Sequence, residues 1–267
     1  MSIVEYDTHD GVATVTLNRP ESLNSMSDGL MSGIAESFAR VESDEDVRVV
    51  VLTGAGRGFC SGADLSAASG GEAGGSNADS MGEIFNPAMR AVANCPVPTV
   101  ARINGVAAGG GFGLAMACDI SIAARSAFFV ATFGPRLGIV PDLGTSWHLP
   151  LRVGAARARG IAMLGGRITA DQAAQWGLIW DAVEDGELDA RVDEVTQLLK
   201  RSSPNAMTRI RSAIAEAEHN TLSEQLDLEH QHQSVLLPLN MLEGAKAFIE
   251  KRDPVFSSGR ERRTRDK

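Results

Sequence analysis

The chain has 267 residues, of which 43% are hydrophobic and 22% charged, a balance typical of globular proteins. Its formal net charge is −9, from 34 acidic and 25 basic residues. This charge argues against nucleic acid as the main partner, because binding a phosphate backbone requires basic surface. The sequence has no run of about 18 apolar residues, so we predict no membrane helix. The first residues lack the basic region followed by an apolar stretch that is typical of a secretory signal. The three cysteines form no CxxC pair and the five histidines no HExxH pattern, so we predict no metal site and a cytoplasmic location.

Strands and helices are predicted to alternate in the first half of the chain. Alternating apolar and polar residues on both sides of Asp10-Gly11 predict a β-hairpin. Ser27 is the predicted N-cap of the helix that follows. Nearly continuous apolar runs predict buried strands at 47–54, 97–105 and 119–124, separated by helices at about 81–94 and 109–118. This order predicts right-handed crossovers and a largely parallel sheet, hence an α/β core.

The remainder of the chain, after residue 143, is predicted to be almost entirely helical. We therefore divide the sequence into an α/β core at 1–195 and a helical C-terminal region at 196–267. The segment 66–80 is rich in Gly, Ser and Ala. Such a composition is typical of a surface loop, but also of a lid beside a functional site, and the sequence does not separate the two.

Two glycine-rich segments each follow a predicted buried strand: GAGRGFCSGADL at 54–65 and AAGGGFGLAMACD at 107–119. The second places three glycines at the start of an apolar helix, whose N-terminus carries unpaired N–H groups and a partial positive charge. Two such loops on neighbouring strands can direct one N–H each at the same carbonyl oxygen and form an oxyanion hole. Ordinary glycine turns remain an alternative. A dinucleotide site is disfavoured, because no G-x-G-x-x-G motif opens a helix after an early strand.

Asp142 stands directly after a proline in the otherwise apolar stretch GIVPDLG at 138–144. Asp is a favoured N-cap residue, and residues 143–149 are predicted to begin a helix. A carboxylate in an apolar environment can also serve as a general acid or base. On its own, this stretch favours the cap.

Five segments, in this order, resemble the enoyl-CoA hydratase/isomerase family, or crotonase superfamily: RGFCSGADL, ARINGVAAGGGFGLAMACDISIAA, GIVPDLGTSW, GRITADQAAQWGLI and AFIEKRDPVF. The resemblance covers essentially the whole chain. It implies an α/β fold built as a spiral of ββα units, with the C-terminal helices as an oligomerisation region. It also implies a homotrimer or hexamer acting on an acyl-CoA thioester, with coenzyme A as part of the substrate and no separate cofactor.

The same resemblance implies roles for individual residues. The backbone N–H groups of Ser61 and Gly110 would form the oxyanion hole. Lys251 would meet a coenzyme A phosphate from a neighbouring subunit. The path of coenzyme A would be lined by Leu23, Ala63, Asp64 and Leu65.

The sequence departs from the hydratases of the family at the residues that handle water. Those enzymes use two glutamates, and this chain has Gly113 and Gly134 at the matching positions. The stretch IVPD, with AQWGLIW and EQLDLE further on, is most similar to the branch that serves phenylacetate degradation, the ring-epoxide and Δ3,Δ2-enoyl-CoA isomerases. In that branch an aspartate at the position of Asp142 is the acid/base. The resemblance therefore implies an acyl-CoA isomerase in which Asp142 is catalytic.

Two alternatives remain open at this point. The chain could be a hydratase-type enzyme or another lyase or hydrolase of the family, or a catalytically silent protein that binds acyl-CoA. Two charged residues near these motifs, Arg136 and Asp119, are predicted to have structural roles. Arg136 is predicted to be solvated or to lie between subunits. Asp119 is predicted to be a hydrogen-bond acceptor within the fold.

Overall fold

The computed structural model describes residues 2–65, 79–256 and 259. The segment 66–80, whose composition fits either a surface loop or a lid, lies outside the described residues, apart from its last two positions.

The N-terminal hairpin and the helix after it are confirmed. Strand β1 (Val4–His9) pairs antiparallel with β2 (Val12–Leu17). Asp10 and Gly11 between them both have left-handed backbones, at φ 48° and 76°, as a tight two-residue hairpin turn requires. Helix α1 (Asp28–Ser43) begins where Ser27 accepts a hydrogen bond on its hydroxyl from the N–H of Leu30, at 3.3 Å.

The middle of the chain repeats a strand–strand–helix unit, and this confirms the α/β spiral of ββα units. Its elements are β3 (Val49–Gly54), β4 (Gly58–Cys60), α2 (Asn86–Ala93), β5 (Thr99–Ile103), β6 (Val106–Ala108), α3 (Gly110–Ala117), β7 (Ile120–Ala124) and β8 (Phe128–Val130). The first strand of each unit joins one sheet and the second strand joins another. Within the described residues one sheet has the order β1-β2-β3-β5-β7, with a short later strand at Asp181–Val183 beside β7, and the other has the order β4-β6-β8, with a short later strand at Arg167–Thr169 beside β8. All contacts between successive units are parallel.

The last part of the chain is mainly helical, as predicted. Its helices are α4 (Thr145–Leu164), α5 (Ala170–Gln175), α6 (Leu188–Arg201), α7 (Pro204–Glu216) and α8 (Leu222–Glu250). Two short strands, β9 (Arg167–Thr169) and β10 (Asp181–Val183), interrupt them and return to the edges of the two sheets. The boundary drawn at 195 falls inside α6, and the division into a core and an oligomerisation region stays a prediction.

The hydrophobic core lies between the two sheets and the helices that cover them. Among its largest fully buried side chains are Phe59 on β4, Phe112 on α3 and Phe129 on β8. All eight residues of α3 are buried, so this helix is fixed on every side and its N-terminus has one defined position. None of the helices in the described part of the chain is both long and apolar enough to cross a membrane.

Candidate active site

The two glycine-rich loops meet backbone to backbone at the carboxyl ends of β4 and β6. Gly62 has φ +90°, and a Cβ atom built there would lie 2.7 Å from the carbonyl oxygen of Ala108 and 3.3 Å from the nitrogen of Gly110. A Cβ atom on Gly111 would collide with the carbonyl of Cys60. Only glycine permits this approach, so the glycines serve to bring the two loops together.

The prediction that the N–H of Ser61 is an oxyanion donor is wrong. The N–H of Ser61 donates to the carbonyl of Leu23 at 3.0 Å, so it cannot also bind a ligand. Along an extended strand, N–H groups two residues apart point the same way. Ser61 and Ala63 would therefore point their N–H groups the same way in a regular strand. The left-handed backbone of Gly62 between them breaks this pattern, so the N–H of Ala63 points away from the segment of Leu23.

The pairing of Ala63 shows where its N–H is free. Ala63 forms a parallel bridge with Met26, in which Met26 donates to the carbonyl of Gly62 at 2.8 Å and Asp64 donates to the carbonyl of Met26 at 3.0 Å. The N–H of Ala63 therefore faces the opposite side and has no acceptor among the described residues. The same holds for the N–H of Gly110, at the first position of α3. These two groups are the available oxyanion donors.

Both donors open into a cavity of about 530 Å³. Its apolar walls are formed by Met26, Met81, Phe85, Phe133, Leu137, Ile139 and Leu143. The polar side chains that line it are those of Ser27, Asp28, Asp64, Ser80, Thr132 and Asp142. A largely apolar cavity with a few polar groups directed into it is the usual form of a small-molecule site.

Asp142 does not cap a helix. Helix α4 begins at Thr145 with Gly144 as its N-cap, and no side chain of the described residues caps it. Only the backbone carbonyl of Asp142 takes part, accepting from the N–H of Thr145 at 2.8 Å. The cap interpretation is therefore wrong. Burial raises the pKa of the Asp142 carboxyl above its ordinary value of 3.8, and a hydrogen bond from its own N–H opposes this only in part.

A strained turn holds Asp142 beside the second donor. Leu143 has φ +47° and Gly144 has φ +76°, and a left-handed backbone is unfavourable for leucine. The Leu143 side chain packs against Gly110, where a Cβ atom would lie 2.6 Å from Leu143 Cδ1. Buried contact with α3 thus stabilises a turn that the local sequence disfavours.

The two positions at which the hydratases carry glutamate differ in the room they offer. A Cβ atom on Gly113 would lie 2.5 Å from the carbonyl oxygen of Leu143 and 2.7 Å from the Thr145 hydroxyl. A glutamate does not fit there, because the segment that carries Asp142 fills the space. Gly134 is exposed in the turn 133–137, where a Cβ atom would make only ordinary contact with the carbonyl of Ala162, at 3.5 Å.

The residues predicted to line the coenzyme A path divide into two groups. Ala63, Asp64 and Leu65 lie along the cavity, and Leu65 is 54% exposed at its edge. Leu23 is half-buried and does not line the cavity in the described part of the chain; its carbonyl instead holds Ser61. Lys251 ends α8 in a left-handed conformation, exposed and away from the cavity lining.

Asp119 and Arg136 are the two charged residues for which the sequence predicted structural roles. The Asp119 carboxylate accepts from the N–H and hydroxyl of Thr99, at 2.8 and 3.0 Å, and from Arg211 at 2.7 Å, so its role as an acceptor is confirmed. Arg136 is exposed. Sequence reasoning missed Met81 and Phe85, which line the cavity from the helical turn directly before α2. No motif distinguishes them from other apolar helix residues. It also missed Arg19, which forms an ion pair with Asp64 at 2.8 Å.

The fold and the site together define a member of a known family. The chain belongs to the enoyl-CoA hydratase/isomerase family, whose sequence model matches residues 7–260.

Similar proteins include both isomerases and hydratases by name. The chain is 42% identical to the 1,2-epoxyphenylacetyl-CoA isomerase of Escherichia coli, over 96% of this chain and 99% of the other. It is 38% identical to a probable enoyl-CoA hydratase of Rhodobacter capsulatus, over 95% and 97%. Among solved structures, a putative enoyl-CoA hydratase/isomerase from Mycobacterium abscessus superposes with a TM-score of 0.90 at 30% identity, over 96% of this chain and 99% of that one. An enoyl-CoA hydratase from Bacillus anthracis gives 0.89 at 32%, over 95% and 98%.

Proposed function

We propose that this protein is an acyl-CoA isomerase that moves a double bond through a thioester enolate, with Asp142 as the proton carrier. The observation that carries the proposal is the pairing of one carboxylate of raised pKa with two unengaged backbone donors in one apolar cavity. The closed space at Gly113 supports it, because a two-glutamate arrangement for holding water cannot form there.

The proposed reaction needs a single base. The thioester carbonyl of a 3-enoyl-CoA accepts hydrogen bonds from the N–H groups of Ala63 and Gly110. The Asp142 carboxylate takes a proton from C2, and the electrons of that C–H bond form a dienolate whose charge lies on the thioester oxygen. Protonated Asp142 then returns the proton to C4, which leaves the double bond between C2 and C3. No atom is gained or lost.

The environment of each group suits its step. Preorganised donors aimed at the developing oxyanion are typically worth about 2.7 to 4 kcal/mol each in a dry site. Burial favours the protonated form of Asp142 and so raises the pKa of its carboxyl toward that of the C2–H bond from which it takes the proton. The relative named 1,2-epoxyphenylacetyl-CoA isomerase supports a ring-epoxide thioester as a further substrate of the same class.

Hydration is the second candidate, because relatives named as enoyl-CoA hydratases are similarly close. Direct comparison of two reactions separates the candidates. Isomerisation of a 3-enoyl-CoA produces the absorbance of a conjugated thioester, and hydration of a 2-enoyl-CoA removes it. We expect kcat/KM for isomerisation to exceed that for hydration by about a hundredfold or more, the scale of one positioned acid/base group. Faster hydration would favour the second candidate, and binding of acyl-CoA without either reaction would favour a silent binding protein.

A further inference from the structure

The donor loop at Ala63 is held by a network that begins at Arg19, outside the loop itself. The Arg19 guanidinium donates to a carboxylate oxygen of Asp64 at 2.8 Å, and its other terminal nitrogen donates to the carbonyl of Ser25 at 2.7 Å. The Arg19 and Asp64 side chains are only 21% and 20% exposed. One side chain thus ties the segment before α1 to the residue that follows Ala63.

Arg19 is itself fixed by buried neighbours. Its backbone N–H donates to the side-chain oxygen of Asn24 at 2.8 Å, and Asn24 is fully buried. The Asn24 amide donates in turn to the carbonyls of Ala55 and Gly58, at 3.0 and 2.8 Å, which flank the start of β4. Arg19 therefore has a defined position relative to the strand that leads into the donor loop.

The backbone of Ala63 is anchored on both sides. On the preceding side, β4 is buried and Gly62 packs on the backbone of Ala108. On the following side, the N–H of Asp64 donates to the carbonyl of Met26, and the Asp64 carboxylate accepts from Arg19. The peptide N–H of Ala63 keeps its direction only if both sides are held.

We propose that Arg19, acting through Asp64, is a positioning residue that directs the N–H of Ala63 at the thioester oxygen. This assigns the Asp64 carboxylate to the donor loop rather than to coenzyme A. The inference rests on the oxyanion hole of the proposed function.

The test combines kinetics with a direct measure of carbonyl polarisation. Hexanoyl-CoA carrying ¹³C at the carbonyl has no double bond to move, so its C=O stretch can be followed in the bound state by isotope-edited infrared spectroscopy. Hydrogen bonds to the carbonyl lower this frequency. The variants are Arg19→Met, Arg19→Lys and Asp64→Asn, and each is checked by thermal denaturation.

Arg211→Met is the matched control. Arg211 pairs with Asp119 at 2.7 Å, with side chains 20% and 25% exposed, so its burial and charge resemble those of the Arg19 pair. Its guanidinium lies between the C-terminus of α2 and the start of β7, and Arg211 does not line the cavity in the described part of the chain. A general loss of a half-buried ion pair should affect both sites alike, whereas a positioning role is confined to Arg19.

In the wild-type protein the bound carbonyl band should lie at lower frequency than that of free hexanoyl-CoA. Arg19→Met should lose more than half of this displacement, and kcat for 3-enoyl-CoA should fall about tenfold to a hundredfold, somewhat less than on outright removal of an oxyanion donor. KM should change less than about threefold, a change smaller than the loss of one hydrogen bond. Arg19→Lys should restore part of the displacement, and Arg211→Met should retain all of it.

A wild-type band position in Arg19→Met and Asp64→Asn would overturn the inference, as would a raised KM with unchanged kcat. If Arg19→Met does not fold, Asp64→Asn decides, since the neutral amide weakens the charge-assisted bond to Arg19 and keeps the bonds of Arg19 to Ser25. The infrared measurement requires no turnover. A wild-type protein without isomerase activity whose band displacement is lost in the variants would refute the proposed function and support the inference.

Discussion

Asp142 lies in a wall of apolar side chains, and its backbone carbonyl contributes to the start of α4 while its carboxylate faces the cavity. The two parts of one residue therefore have separate roles. The backbone helps to begin the helix, and the side chain remains available for proton transfer. Local sequence cannot reveal this separation, because an aspartate before a helix is most often its cap.

The pH dependence of the reaction should reflect the burial of this carboxyl. The base form is the ionised form, so kcat/KM should fall as the pH falls through the pKa of Asp142 in the folded protein. Because burial raises that pKa above 3.8, the acid limb of the profile should have its midpoint above 3.8. Measurement of kcat/KM for a 3-enoyl-CoA from neutral to acid pH checks this. A rate that stays flat below an ordinary carboxyl pKa would contradict it.

The segment 142–145 both places a carboxylate at the cavity and closes the space at Gly113. Its left-handed turn brings the Leu143 carbonyl and the Thr145 hydroxyl against α3 at Gly113. The Thr145 hydroxyl is buried and has no hydrogen-bond partner in the described structure. The same turn therefore supplies a carboxylate at one position and excludes one at another.

Adding a side chain at Gly113 should consequently cost stability. A Cβ atom at 2.5 Å from a carbonyl oxygen forces a shift of buried backbone, so Gly113→Ala should lower the free energy of unfolding by about 1–3 kcal/mol, as overpacking does. Gly134→Ala is the control, because its Cβ atom makes only ordinary contact, and it should stay within about 0.5 kcal/mol. Urea denaturation measures both. Equal stability of the two variants would show that the space at Gly113 is not closed.

The sequence predicted the long elements better than the short ones. Six-residue strands such as β2 and β3 show their periodicity or continuous apolar character, whereas three-residue strands such as β4 and β9 are too short to show either. The choice of Ser61 in place of Ala63 has a similar origin. The glycine motif predicts a tight turn, but the direction of each N–H depends on the φ angle of Gly62, which only the structure supplies.

The long C-terminal helix α8 carries several exposed apolar side chains. Of the 29 residues of α8, only Ala247 is buried, while Leu242, Phe248 and Ile249 are 85%, 86% and 79% exposed. Apolar side chains grouped in this way mark an interaction surface. The prediction of a trimer or hexamer is consistent with this surface and is untested. Lys251 follows directly after α8, and its predicted contact with coenzyme A of a neighbouring subunit requires such an assembly.

Sedimentation equilibrium at micromolar concentration should give a mass three or six times the 28.2 kDa of one chain. The double variant Leu242→Glu/Phe248→Glu should shift the mass toward one chain, because charged groups in an apolar contact are unfavourable. Ile3→Glu, at a partly exposed position on the N-terminal segment, is the control and should not change it. A wild-type mass of a single chain would contradict the assembly and, with it, the role of Lys251.

The catalytic role of Asp142 is tested most directly by the activity of Asp142→Asn on a 3-enoyl-CoA, followed through the conjugated thioester absorbance. The amide keeps the shape of the side chain and cannot accept the proton, so kcat should fall by about 10² to 10⁴. Affinity for acyl-CoA should be almost unchanged, since both backbone donors remain. Thermal stability should be equal or slightly higher. Folding raises the pKa of the Asp142 carboxyl, so at a pH above its pKa in the folded protein the ionised carboxylate lowers the stability of the wild type. The amide does not ionise and avoids this loss. An Asn variant as active as the wild type would contradict the account.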